Sequence, residues 1–238
     1  MPKAKPRRIS KRPATNAAAT SLATITREAK GSDRPRAAIR RLRRSELPID
    51  TVALARFLIG KTLVRNIPGG IAAGRIVETE AYLEGDAAAH FYRGPTKRNR
   101  SVYLERGHSY VYFCYGAHFM FNVSSERHGV GGGILIRAIE PIEPLAGMEW
   151  MKKRRGTEKL LDLARGPGRL AQAFGIGPKH DGLDLTSRSS ELWLGAAMRD
   201  SSEIGASVRI GITKDAHRVL RFYERGNPYV SGPKKMRE

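Results

Sequence analysis

Apolar residues recur along this chain with two distinct periods, and the switches between them mark its elements. Over residues 50–59, Val52, Ala55, Leu58 and Ile59 fall at helical spacing. This predicts a helix with Asp50 as its N-cap and Gly60 as its stop. Residues 61–65 begin a strand, Pro68-Gly69-Gly70 is a turn, and residues 71–83 are strand-like. A basic loop follows over residues 93–100. Residues 109–115 and 119–124 read as two strands joined at Gly116-Ala117-His118, a hairpin. A glycine-rich turn at residues 129–133 leads into a strand over 134–139. That turn is no phosphate-binding loop, because it lacks the Lys-Ser/Thr pair and a strand, not a helix, follows it. Residues 145–154 and 157–164 have helical patterns, and Gly166-Pro167-Gly168 opens a helix that runs through Phe174. Strands are expected at 192–194, 207–212 and 220–223. Strands come first with helices inserted and no regular βαβ alternation, which predicts the α+β class.

Composition changes the picture at the N-terminus. Residues 1–44 contain 14 Lys and Arg, two acidic residues (Glu28 and Asp33) and no aromatic residue. Such a segment buries too little apolar surface to offset ordering entropy, so a disordered basic tail is expected, with the folded domain spanning 45–238. An organelle transit peptide has a similar composition, but no amphipathic Arg face or cleavage signal is evident. The whole chain of 238 residues has 43 Lys and Arg against 23 acidic residues, a net charge of +20. That field attracts polyanions, nucleic acid first among them. No apolar run approaches membrane-spanning length. The single cysteine, Cys114, excludes an intramolecular disulfide and a cysteine-based zinc site, and the six histidines are scattered. A reducing compartment is expected: cytoplasm or nucleoid in a bacterium, nucleus or organelle in a eukaryote.

Four segments could carry chemistry. In Arg75-Ile76-Val77-Glu78-Thr79-Glu80-Ala81-Tyr82, strand alternation puts Glu78, Glu80 and Tyr82 on one face. Either this is an edge strand with wet carboxylates, or one carboxylate is a general base tuned by burial and a nearby Arg. The run Tyr110-Val111-Tyr112-Phe113-Cys114-Tyr115 is a core strand or a stacking surface for bases, with Tyr115 at the hairpin tip suited to insertion into a duplex. Arg93, Lys97, Arg98 and Arg100 make the 93–100 loop a candidate backbone contact. Gly168 and Arg169 at a helix start form either a phosphate seat or a plain helix start.

Taken together, these segments resemble the alkyladenine (3-methyladenine) DNA glycosylase family of the animal and bacterial type. The matching stretches include residues 74–83, Ala88-Ala89-His90, Arg98-Asn99-Arg100, Tyr110-Val111-Tyr112, Tyr115-Gly116, Asn122-Val123-Ser124 and residues 134–138. Gly166-Pro167, Arg209-Ile210-Gly211 and Arg221-Phe222-Tyr223 follow in order. The resemblance implies a single domain on a curved, mostly antiparallel sheet with surrounding helices. It also implies a monofunctional enzyme without metal or organic cofactor that excises alkylated or deaminated purines from duplex DNA. A base-flipping glycosylase can act as a monomer, which is the expected state.

By position, Glu80 matches the family's general base. Arg137 and the backbone carbonyl of Ile210 match the groups that hold the attacking water. Tyr82, His90 and Tyr112 match the walls around the flipped base, and Tyr115 the side chain that fills the gap in the duplex. Asn122 matches the residue beneath the pocket that disfavours guanine's exocyclic amine. Residues 91–96 depart from the animal pattern in length and sequence, and Ala117-His118 departs as well. Two other classes compete. A non-catalytic nucleic-acid-binding module would explain the charge and the aromatics, but not Glu80 beside Tyr82 with Arg137 in a strand. A nuclease would ordinarily need a cluster of metal-binding acids.

Overall fold

The computed structural model describes residues 39–114, 116–142, 147–200 and 203–233. The disorder expected of residues 1–38 and the wedge expected at Tyr115 lie outside the described residues. The packed chain begins earlier than residue 45. Arg41 bridges Gly195, the Leu42 N–H donates to the Leu194 carbonyl, and Leu42 is only 2% exposed.

Helix α1 (Thr51–Leu58) starts where the Asp50 carboxylate accepts the Ala53 N–H at 2.6 Å, as the N-cap reading expects. Leu54, Ala55 and Leu58 turn inward, each leucine contributing ~1.5–3 kcal/mol on burial. The helix ends at Gly60, whose φ of 83° suits a residue without Cβ. Strands β1 (Thr62–Ile67) and β2 (Gly70–Tyr82) form a hairpin across Pro68-Gly69, with Gly69 at φ 81°. Strands β3 (Ser109–Cys114) and β4 (His118–Ser124) form the second expected hairpin. Strand β5 (Gly133–Pro141) follows the glycine-rich turn.

Helices α2 (Gly147–Arg155), α3 (Leu160–Leu163) and α4 (Pro167–Ala173) come next, then β6 (Leu192–Gly195), β7 (Ile204–Ser207) and β8 (Arg221–Glu224). Two expectations shift. The helix expected over 157–164 shrinks to a single turn. The strand expected over 207–212 lies three residues earlier, and residues 208–212 leave the sheet. Arg209 is drawn off the ladder into a buried ion pair with Asp86.

The strands run β3-β4-β5-β2-β1-β6, all pairs antiparallel, with β8 paired to β2 and β7 to β8. The sheet curls strongly into a half-barrel. β2 is interior: β5 runs along one side, while β1 and then β8 border the other. This removes the edge-strand reading of Glu78 and Glu80. The register of β2 against β5 shifts on both sides of Glu78. Before the shift Ala72 and Ile76 face the helices. After it Ala81 does, and the Thr79 hydroxyl donates to the Ala55 carbonyl in α1. The bulge thus re-aims the strand and sends Glu78, Glu80 and Tyr82 to the face away from the helices. α1, α2 and α4 cover the other face, sharing one core with Val123, Ile134 and Ile136. On β5, Leu135 and Arg137 alternate with those isoleucines and so share the face of the carboxylates.

Candidate active site

On the face away from the helices the sheet holds a cavity of about 340 Å³, lined among others by Tyr82, His90, Tyr112, Asn122, Arg137 and Ile210. Its size falls within the usual range for small-ligand sites. Two rows of the β3–β4 hairpin build one wall, Tyr110 opposite Asn122 and Tyr112 opposite Met120. The His90 ring stacks on Tyr112 with centroids 4.3 Å apart, and its Nδ1 is hydrogen-bonded to the Tyr110 hydroxyl. Burial, reinforced by the charge of Arg98, pulls the His90 pKa below the ordinary histidine value, so the ring is neutral at pH 7. Asn122 spends its amide N–H on the Tyr110 carbonyl at 3.1 Å, which fixes its rotamer.

Glu80 lies immediately behind the cavity wall, 0% exposed, and its partners are themselves lining residues. The Ile210 N–H donates to Oε1 at 2.7 Å, Arg137 Nη1 lies 3.1 Å from the same oxygen, and the Tyr82 hydroxyl donates to Oε2 at 2.9 Å. The contact between Ile210 and Glu80 is made by the Ile210 N–H, whereas the resemblance assigns the Ile210 carbonyl to the attacking water. A carboxylate offers about four lone-pair sites, so three donors leave room for one more. Burial and the adjacent Glu80 charge push the Tyr82 phenol pKa up, so it stays a donor.

Arg137 also donates its Nε to Glu78 Oε1 at 2.9 Å, bridging the two carboxylates. Arg221 Nε reaches that same oxygen at 2.7 Å. Burial alone would raise the Glu78 pKa, but Arg137 and Arg221 together hold it below the usual carboxylate range. Two carboxylates and two guanidiniums thus form a buried, charge-balanced cluster, the condition under which such groups can stay ionised. Arg209 closes the site from the side. It pairs with buried Asp86, donates to the Ala81 carbonyl at 3.1 Å and lies 4.6 Å over the Tyr82 ring. The loop carrying Ile210 is anchored by this pair. Asp86 and Arg209 are 123 positions apart, and no local pattern marks Asp86.

A second, open groove of about 580 Å³ adjoins the cavity, sharing Ala88, His90, Gly211 and Ile212 with it. Arg93, Arg98 and Lys214 line it, and Arg98 is steadied by a 2.7 Å bond to the Phe113 carbonyl. Arg100 is exposed but lines neither space. At the start of α4, Pro167 lines the cavity, whereas Gly168 packs against the His118 ring, so that a Cβ there would sit 2.8 Å from Cγ. Arg169 is paired with Asp162 at 2.8 Å. The structure gathers Glu80, Tyr82, His90, Tyr112, Asn122, Arg137 and Ile210 at one place, and leaves Arg100 and Arg169 apart from it. Among the described residues, no three His, Cys, Asp or Glu side chains come together as a metal site, and no helix is long and apolar enough to cross a membrane.

The methylpurine-DNA glycosylase family profile matches residues 45–228. A Mesorhizobium japonicum protein provisionally named a 3-methyladenine DNA glycosylase is 58% identical over 209 residues, covering 88% of this chain and 96% of that one. A protein of the same provisional name from Paraburkholderia phytofirmans is 50% identical over 195 residues, 82% of this chain and 90% of its own. One from Chlorobaculum tepidum is 46% identical over 184 residues, 76% and 86% of the two chains. The matched segment contains every cavity residue named above. The chain therefore belongs to the methylpurine-DNA glycosylase family, hydrolases of N-glycosyl bonds that act on DNA in base excision repair.

Proposed function

We propose that the protein flips an alkylated or deaminated purine, such as 3-methyladenine or hypoxanthine, out of duplex DNA into the aromatic cavity. It then hydrolyses the bond to the sugar with Glu80 as general base. The observation that carries this reading is the placement of a buried carboxyl group, in contact with Arg137, directly behind a cavity walled by His90, Tyr82 and Tyr112. Flipping costs a few kcal/mol, least for a damaged or mispaired base. Stacking on aromatic side chains offsets it by ~1–3 kcal/mol per contact, and Tyr115 would fill the vacated space. An alkylated purine is cationic and is drawn to π-faces.

A water accepted at the remaining lone pair of Glu80 would face C1′. Its oxygen bonds to C1′ while the C1′–N bond breaks and its proton passes to Glu80. The bond electrons leave with the purine, neutralising it when it is alkylated; a neutral purine such as hypoxanthine takes up a proton from solvent as it leaves. The same carboxylate charge stabilises the oxocarbenium-like sugar. Arg137 and the Ile210 N–H hold Glu80 in place, and the neutral His90 edge and Asn122 meet the base. Arg98, with Arg93 and Lys214, would hold the flanking phosphates along the adjoining groove, and the enzyme would act as a monomer. A positioned general base contributes ~10²–10⁴ in rate.

The test is product analysis in EDTA on duplexes with one 3-methyladenine analogue, hypoxanthine or 7-methylguanine. The proposal expects free purine and an unbroken abasic strand. Tight duplex binding with no base released from any lesion would instead favour the non-catalytic binding module.

A further inference from the structure

The chemistry proposed above makes no use of Val230-Ser231-Gly232, a stretch near the end of the chain and beyond residues 45–228 matched by the family profile. Yet this stretch reaches three members of the buried cluster and the residue that donates to the fourth. The Ser231 N–H donates to Glu78 Oε2 at 2.6 Å. The Ser231 carbonyl accepts Arg221 Nη2 at 3.1 Å, and its hydroxyl accepts Arg137 Nη2 at 3.4 Å. On one side Val230 is fully buried against Val77, Ala138 and Tyr223. On the other, Gly232 at φ 83° leaves so little room that a Cβ would stand 2.6 Å from Ile210 Cδ1. Ile210 is the residue whose N–H holds Glu80.

We infer that Val230-Ser231-Gly232 is a latch: it fixes the Arg137 guanidinium and the Ile210 amide, and through them aims the Glu80 carboxylate. The inference rests on the reading that Glu80 performs the chemistry. Val230 anchors the segment in the apolar core. Ser231 then satisfies the oxygen of Glu78 that neither arginine occupies, so the carboxylate cannot rotate away from Arg137. Gly232 backs the Ile210 side chain, and with it the loop of residues 208–212 that lies outside the sheet ladder. Two of the three Ser231 contacts are made by main-chain atoms, which explains why the side-chain pattern of the sequence carries no sign of them. These are positioning residues: none touches the cavity.

The test uses the full chain with Gly232→Ala, Ile210→Val, the double variant, and Gly226→Ala as a control. Gly226 has a similar φ of 71° but open space around a Cβ, so it reports backbone strain without a contact. Three readouts are taken: single-turnover base release at saturating enzyme, affinity for lesion duplex, and amide hydrogen exchange of the 208–212 loop. The latch expects Gly232→Ala to slow release by about tenfold to a hundredfold, the scale on which small misplacements act. Affinity should change little, and Ile210 amide exchange should accelerate. Gly226→Ala should do neither. Val lacks Cδ1, so Ile210→Val should restore most of the rate and protection lost to Gly232→Ala, measured against Ile210→Val alone.

The latch is overturned if Gly232→Ala behaves like Gly226→Ala. It is equally overturned if rate, affinity and stability fall together without recovery in the double variant, which is the signature of a merely structural role. If wild-type protein releases no base, the proposed chemistry fails, and the exchange data alone decide the latch.

Discussion

Replacing Arg137 with glutamine removes a guanidinium that touches both Glu78 and Glu80. Wild type balances two buried carboxylates against Arg137 and Arg221, whereas the variant leaves one negative charge uncompensated. Breaking a buried ion pair from one side costs ~3–5 kcal/mol. Taking up a proton relieves this, so loss of the guanidinium raises the proton affinity of one carboxyl of the pair above its unfolded value. The native variant therefore binds more protons than the unfolded chain below pH 7, and its stability rises as pH falls. About 1–2 kcal/mol should return between pH 8 and pH 5.5.

Glu78 gives wild type no such gain over that range. The Glu78 pKa is depressed, so its contribution is present above the unfolded value and is lost only as pH falls through the folded one. Histidines with lowered pKa values act on both proteins alike and cancel in the difference. Urea unfolding of wild type, Arg137→Gln and Glu78→Gln/Arg137→Gln at both pH values is the assay. At pH 8 the single variant should lose ~3–5 kcal/mol, or ~6–20 °C in Tm. The gap should narrow at pH 5.5, and the charge-balanced double variant should be the more stable of the two variants at pH 8. A loss of equal size at both pH values, or a double variant no better than the single, would refute the picture of a charge-balanced cluster.

Other consequences can be checked one by one. Asp86→Asn strands buried Arg209; unfolding should show a loss of ~3–5 kcal/mol, and base release should slow as the Ile210 loop loosens. Tyr112→Ala removes the ring against which His90 stacks and should weaken lesion-duplex binding by ~1–3 kcal/mol while leaving undamaged duplex affinity alone; equal loss on both duplexes would contradict a base-stacking wall. Arg98→Ala and Lys214→Ala should each weaken all duplexes alike and reduce the salt slope of log K by about one; an unchanged slope would remove the adjoining groove from the DNA path.

What the sequence revealed and what it hid follow one physical line. Period-2 alternation and turn residues exposed both hairpins, and the N-cap and glycine stop exposed α1, because these signals are local. Glu78, Glu80 and Tyr82 share a face as alternation requires, but the bulge beside Glu78 that turns that face away from the helices has no local marker. The family resemblance named Glu80, Arg137, Tyr82, His90 and Tyr112 together, and the fold brings them to one place. The residues that hold them were invisible because they come from far away. Arg221 and Ser231 meet Glu78 from 143 and 153 positions along the chain, and the Ile210 N–H meets Glu80 from 130. The misplaced strand at 207–212 has the same origin: its alternation is genuine, but the buried pair of Arg209 with Asp86 overrides it. At Gly168 and Arg169, read as a phosphate seat or a plain helix start, the local pattern does not show the packing on His118 or the ion pair with Asp162.

The most direct test of the central claim is single-turnover release of free base from one lesion-bearing duplex, in EDTA, by wild type and Glu80→Gln, alongside their affinities for that duplex. Glutamine keeps the shape of the side chain and can still accept from the Ile210 N–H, but it cannot take a proton from water. The account predicts that wild type releases purine, and that Glu80→Gln binds as tightly while its release falls by ~10²-fold or more. Release by Glu80→Gln at the wild-type rate would contradict the role of Glu80 and leave the buried carboxylate behind the cavity without a chemical purpose.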